Sequence, residues 1–241
     1  MPVEQNDPAI VLTGTIIPNA PFTAHNDPQQ RRREYLEAIS FYSRFAPVYF
    51  LENSSYRLAD DEEFNSLPGV ELRQMPMSES PERGKGFQEF EMIDGWIANE
   101  LQPPKRWIKI TGRYLYRNFA DVFADCRLER KASLIIDRCA RSRIARSYLF
   151  SVESEFYQKH VAGIYRECDD DAGQWIERVL FRRLAELPST DVRLFSIEPR
   201  LTGVSGTTGG SIETKASRYW IKRILRKLNY AIDRRQLWYT R

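Results

Sequence analysis

Apolar and polar positions along this chain switch repeatedly between two periods. Residues 9–17, AIVLTGTII, are a β-branched and apolar run, which predicts a buried strand stopped by Pro18 and Pro21. QQRRREYLEAISFYSRF then sets Tyr35, Leu36, Ile39, Tyr42 and Phe45 at helical spacing. Asp27 before Pro28 offers an N-cap with proline at the first helical position. PVYFLENSS (47–55) predicts a second strand with a polar end, and VELRQMPM (70–77) a short third. In GKGFQEFEMIDGWIANEL (84–101) a Gly-Lys-Gly turn feeds a helix with Phe87, Phe90, Ile93 and Ile97 on one face. WIKITGR (107–113) is the next strand and YLYRNFADVFADC (114–126) the next helix. ASLIIDR (132–138) predicts a strand, and SYLFSVESEFYQKHVAGIY (147–165) begins as a strand and becomes a helix. AGQWIERVLFRRLAEL (172–187) predicts an amphipathic helix with Trp175, Ile176, Val179, Leu180 and Leu184 inward. DVRLFSIEP is a last strand, LTGVSGTTGGS a Gly/Ser/Thr loop, and the remainder a basic helix.

Strands alternating with helices of this length predict an α/β domain, a mostly parallel mixed sheet flanked by helices. Ligands of such sheets sit beyond the C-terminal ends of the strands. Those ends read Thr13-Gly14-Thr15, Glu52-Asn53-Ser54, Thr111-Gly112-Arg113-Tyr114 and Asp137-Arg138. All are polar or contain glycine.

Composition narrows the setting. The 241 residues are 42% hydrophobic, enough for one large core, and no apolar run is long enough to span a membrane. The N-terminus lacks a basic stretch followed by an apolar one, so no secretory signal is expected. Three widely spaced cysteines and two histidines predict neither a disulfide framework nor a zinc site, and fit a reducing cytoplasm. The net charge of +3 hides an asymmetry: from Lys215 to Arg241 nine basic residues face one acid, a balance of +8 that leaves −5 on the rest. The expected division is a domain over 1–214 and a basic amphipathic C-terminal helix over 215–241.

Phosphate chemistry comes first among the candidates. Arg113 is a planar fork suited to phosphate or carboxylate, and Gly112 allows close backbone approach. Gly84-Lys85-Gly86 stands at a predicted helix N-terminus, and Gly203–Gly210, with Ser205 and Gly206, offers a second nest. Each has a bland alternative, a plain turn or a surface charge. No Walker or dinucleotide fingerprint is present. Among acids, Asp137 closes the apolar run SLIID; it suits a metal ligand or catalytic acid, or a pairing with Arg138 or Arg141. Asp169-Asp170-Asp171 is an apparent D-x-D, read here as capping acids for the helix that follows. Glu177 borders a buried helical face and suits a general base, or a helix salt bridge.

Taken in order, VLTGTIIP, FLENSS, GKGFQEFEMI, WIKITGRY, WIERVLFRRL and the P-R-x-x-G-x-S-G loop resemble small bacterial glycosyltransferases of lipopolysaccharide and capsule assembly, similar to GT-A enzymes, over residues 9–210. The resemblance implies a Rossmann-like GT-A fold and a nucleotide-sugar donor. It places Thr13, Gly14, Glu52 and Asn53 near the base or ribose. Lys85, Lys109, Arg113 and Tyr114, with Ser205 and Gly206, fall to the donor's diphosphate or sugar. Asp137 and Glu177 become the catalytic acids. GT-A enzymes hold a divalent metal, Mg or Mn, on a strand-end D-x-D; the match here lies elsewhere, which leaves Asp137 as a lone ligand or a reaction that leans on Lys and Arg. A glycan or lipid-linked acceptor is implied.

In the tail, Trp220, Ile221, Ile224, Leu225, Leu228, Ala231 and Ile232 fall on one helical stripe among basic residues. This suits the anionic cytoplasmic face of an inner membrane, giving a cytoplasmic, peripheral protein. The alternative is a stripe packed on the body. The rival function is a non-catalytic, basic and aromatic nucleic-acid-binding protein; charge gathered at one end argues against it.

Overall fold

The structure, a computed structural model, describes residues 7–20, 23–127, 132–139, 141–188, 191–204, 209–213, 219–224 and 226. Its centre is a seven-stranded sheet of β1 (Ala9–Gly14), β2 (Val48–Glu52), β3 (Val70–Gln74), β4 (Arg106–Thr111), β6 (Leu134–Cys139), β7 (Ile144–Glu153) and β8 (Val192–Arg193). The spatial order is β3-β2-β1-β4-β7-β6-β8. All strands run parallel except β7, which pairs antiparallel with both β4 and β6. The fold is thus the expected Rossmann-like α/β domain, a mostly parallel mixed sheet flanked by helices.

Both sheet faces are covered, which is why the strands read as continuous apolar runs. Val11, Trp107, Phe150 and Val152 point to one face, beneath α3 (Lys85–Asn99), α5 (Ser154–His160) and α6 (Ile176–Ala185). Ile10, Leu12, Phe50, Ile108 and Ile110 point to the other, beneath α1 (Pro28–Tyr42) and α4 (Phe119–Arg127). A four-residue helix α2 (Glu62–Asn65) lies between β2 and β3. Asp27 caps α1 as expected, its carboxylate accepting from the amides of Gln29 and Gln30.

Several boundaries differ from the sequence reading. The first strand stops at Gly14, because the 15–17 backbone turns aside to bond Glu52 and Ser54. Leu115–Tyr116 form a short strand, β5, not the start of a helix, because β9 (Leu201–Val204) pairs with them. The Gly/Ser/Thr segment is therefore partly sheet: β9 also pairs with β10 (Ser211–Glu213). Only two residues of DVRLFSIEP are strand. Trp175 precedes α6 and is 45% exposed, where the pattern placed it inward. Residues 219–224 and 226 are helical; the rest of the predicted C-terminal helix lies outside the described residues, as do Ser205 and Gly206.

Candidate active site

The strand-end corner after β4 sits against the end of β1. Gly112 donates its amide to the Thr13 carbonyl at 2.9 Å, and a Cβ there would come within 2.8 Å of that same oxygen. The close approach that Gly112 permits is therefore to the neighbouring strand, not to a ligand. Gly14 is explained likewise: a Cβ would lie 2.5 Å from the Phe50 ring.

Beyond these ends opens a cleft of about 540 Å³. Three cationic side chains line it: Arg31 from α1, Lys85 from the first turn of α3, and Arg113 from the corner. Arg31 was not anticipated from sequence, where it reads as one of three successive helix arginines. It is 4% exposed and donates through Nε to the Thr15 carbonyl at 2.9 Å, through Nη1 to the His25 carbonyl at 2.9 Å, and through Nη2 to the Tyr35 hydroxyl at 3.1 Å. It fixes the loop after β1 and adds a permanent charge. Arg113 is buried; its Nη1 reaches Glu34 at 3.4 Å and the Val204 carbonyl at 3.3 Å, while its Nε has no hydrogen-bond partner. Burial first, then the charges of Arg31 and Arg113 against the opposing Asp170, lower the Lys85 proton affinity. Burial and the charge of Arg113 likewise lower that of Arg31, against Tyr35 and Glu34. The three cations therefore sense one another across one space.

Glu89 from α3 and Glu177 from α6 also line the cleft. Glu89 was also missed, since a glutamate on an amphipathic helix carries no signal of its own. Its Oε1 accepts from Thr13 Oγ1 at 2.5 Å, Lys109 Nζ at 2.7 Å and Thr111 Oγ1 at 3.1 Å. Lys109 is completely buried on β4 beneath the cleft; burial lowers its proton affinity, opposed by Glu89 and Glu177, and it also donates to the Ser147 carbonyl at 2.8 Å. Thr13 and Lys109 thus hold Glu89; Lys109 does not line the cleft. Glu177 Oε1 accepts from Ser147 Oγ at 2.7 Å, so both carboxylates are oriented from behind.

Five further expectations fall elsewhere. Glu52 is fully buried and organises the loops after β1 and β2, accepting from the amides of Ile16 and Ser54 and from Gln74. Asn53 accepts from Thr15 Oγ1 at 2.6 Å. Neither lines the cleft. The N-terminus of α3, read as an anion nest, is taken by Asp170, whose carboxylate accepts from the Lys85 amide and would collide with any Cβ at Gly84. Asp170 therefore caps α3 and not the helix that follows it; Asp169 accepts from the Ala172 amide. Asp137 lies outside the cleft, in a bidentate pairing with Arg226 at 2.6 and 2.7 Å, not with Arg138 or Arg141. Among the described residues no group of three or more His, Cys, Asp or Glu side chains converges into a site for a metal ion.

Tyr35, Tyr114, Tyr148 and Trp175 complete the walls. Arg178 stacks over the Trp175 ring at 4.3 Å, fixing an aromatic face at the rim.

No protein-family model matches the chain, and no curated protein matches it. Among solved structures, the apo form of mouse xyloside xylosyltransferase 1 is similar at 11% identity and a TM-score of 0.45, covering 78% of this chain and 84% of its own. A 4-diphosphocytidyl-2C-methyl-D-erythritol synthase is similar at 12% identity and 0.46, covering 90% and 99%. A cytidylyltransferase from Leptospira borgpetersenii serovar Hardjo-bovis is similar at 10% identity and 0.47, covering 94% and 96%.

Proposed function

We propose that this protein is a glycosyltransferase that moves a sugar from a nucleotide-sugar donor to a glycan or lipid-linked acceptor. One observation carries the reading: Arg31, Lys85 and Arg113 converge on one cleft at the C-terminal edge of β1 and β4, where burial first, and their charges on one another after it, lower the proton affinity of Arg31 and Lys85. An anionic handle such as a diphosphate relieves that repulsion. Lys85 and Arg113 are the contact groups; Arg31, already committed to carbonyls, acts through its charge. Thr13, Gly14 and Tyr114 shape the cleft, and Trp175 presents a face for a base or sugar ring.

The reaction follows from the cations and carboxylates that share the cleft. Glu177, held by Ser147, takes the proton from an acceptor hydroxyl. The acceptor oxygen bonds to the anomeric carbon as the bond from that carbon to the diphosphate oxygen breaks. The nucleoside diphosphate leaves with an added negative charge, which the cations stabilise. Glu89, with Lys109 behind it, accepts hydrogen bonds from sugar hydroxyls.

The tail fits an acceptor carried on a membrane. Trp220, Ile221 and Ile224 are 57, 61 and 61% exposed, while Tyr219 and Arg226 of the same segment face the body. Trp220, Ile221 and Ile224 thus point away from the domain, beside Lys222 and Arg223. We read this segment as a reversible contact with anionic lipid on the cytoplasmic face of the inner membrane.

Turnover assays over a panel of UDP-, GDP- and CMP-sugars test the function. Release of nucleotide from one donor class, lost in Glu177→Gln, is expected. Pyrophosphate release from a nucleoside triphosphate, or thermal stabilisation by oligonucleotides alone, would overturn it.

A further inference from the structure

A second cavity, of about 190 Å³, lies behind Tyr148, whose side chain also lines the main cleft. Tyr114 of the cleft packs edge-on against Tyr148 at 6.1 Å, so two rings form the partition. At about 30 Å³ per water the space holds roughly six. We propose that it is a subsite for a neutral, hydroxyl-rich ring, a sugar of the acceptor; this rests on the transferase reading.

The chemistry of the lining selects the class of ligand. Asp137 and Glu198 are 8% and 5% exposed. Arg226 bridges them, its Nη1 and Nη2 on Asp137 and its Nε on Glu198 at 2.6 Å. Arg146, half-buried, donates to the Tyr148 hydroxyl at 2.6 Å and feels the charges of Asp137 and Glu198. Two carboxylates thus meet two guanidiniums, and the interior asks for no further ion. Lys222 lies at the edge, 47% exposed and 3.6 Å from Glu198, where water screens it.

What the cavity lacks is a hydrogen-bond partner. Tyr116 is completely buried among its lining residues, and its hydroxyl has no hydrogen-bond partner among the described residues. A buried hydroxyl left so in a polar cavity marks a place for a molecule that both donates and accepts. Carboxylates and a guanidinium fork suit vicinal hydroxyls, and the half-buried Tyr148 ring offers a face to the C–H side of a sugar. The position beside the partition brings such a ring next to the donor cleft.

The test uses the full chain, with binding followed by saturation-transfer NMR. The probes are the methyl glycosides of glucose, galactose and N-acetylglucosamine, with glucuronate and inorganic phosphate as anionic controls, each with and without UDP or GDP. At least one neutral glycoside should bind, and Tyr116→Phe should weaken it about fivefold, the loss of one hydrogen bond. Nucleotide binding should not change, and the melting temperature should not fall, because that hydroxyl holds nothing in the fold. Arg146→Lys, which keeps charge but loses the fork, should weaken the same glycoside. Nucleotide binding without any glycoside binding would show a merely hydrated void and overturn the subsite alone. So would a preference for glucuronate or phosphate, or glycoside affinity indifferent to both variants. Failure of nucleotide and glycosides together would overturn the transferase reading as well.

Discussion

Arg113 shows how a residue's task depends on where its charge is held. One arm of its fork is held by Glu34 and Val204 while Nε stays buried without an acceptor. Arg113→Ala should weaken nucleoside diphosphate binding by about 10- to 100-fold, the effect of a charge-assisted hydrogen bond, as read by calorimetric titration. Lys85 gives the pH dependence. Its proton affinity is lowered from the ordinary lysine value of 10.5 by burial and by Arg31 and Arg113. The cation is present below that lowered pKa and lost as pH rises through it, so affinity for a diphosphate should start to fall at a pH below 10.5. Lys85→Arg, which keeps its charge, should flatten that decline; an unchanged profile would separate Lys85 from the phosphate. These roles were partly visible in sequence. Arg113, Lys85 and Glu177 stand at recognisable strand and helix ends. Glu52 and Asn53 stand at such ends too, yet their side chains turn back to tie loops, and only the fold reveals which way a strand-end residue faces.

At the level of elements, the cleft exists because α3 and α6 meet at their first turns. A Cβ at Gly86 would lie 2.5 Å from Ile176 Cγ2, so Gly86→Ala must part the two helices that carry Glu89 and Glu177. A loss of about 1–3 kcal/mol on chemical denaturation is expected, together with reduced turnover. Lys109 links strand to helix through Glu89 at 2.7 Å. Lys109→Ala removes the partner of a carboxylate that the cleft only partly exposes and should cost about 3 kcal/mol. The main strands and helices were legible because runs such as AIVL and WIKI are covered on both faces and helices such as α3 keep one strict apolar stripe. The small sheet was not: Leu115–Tyr116 gain their strand partner from β9, more than 80 residues away, which no local period can announce.

For the molecule as a whole, sheet, cleft and tail are joined through charge. Arg226 holds the described part of the tail to Asp137 and Glu198, and turns Trp220, Ile221 and Ile224 outward. Deleting 215–241 should abolish sedimentation with phosphatidylserine-containing vesicles and leave phosphatidylcholine vesicles unbound as before; undiminished sedimentation would remove the tail from the membrane. The proposed transfer requires that the cationic cleft grip a diphosphate. Calorimetric titration of the intact protein with UDP, GDP and CDP measures this directly. At least one should bind at a single site, with affinity lost in both Arg113→Ala and Lys85→Ala. No binding by any of the three, or binding indifferent to both substitutions, would contradict it.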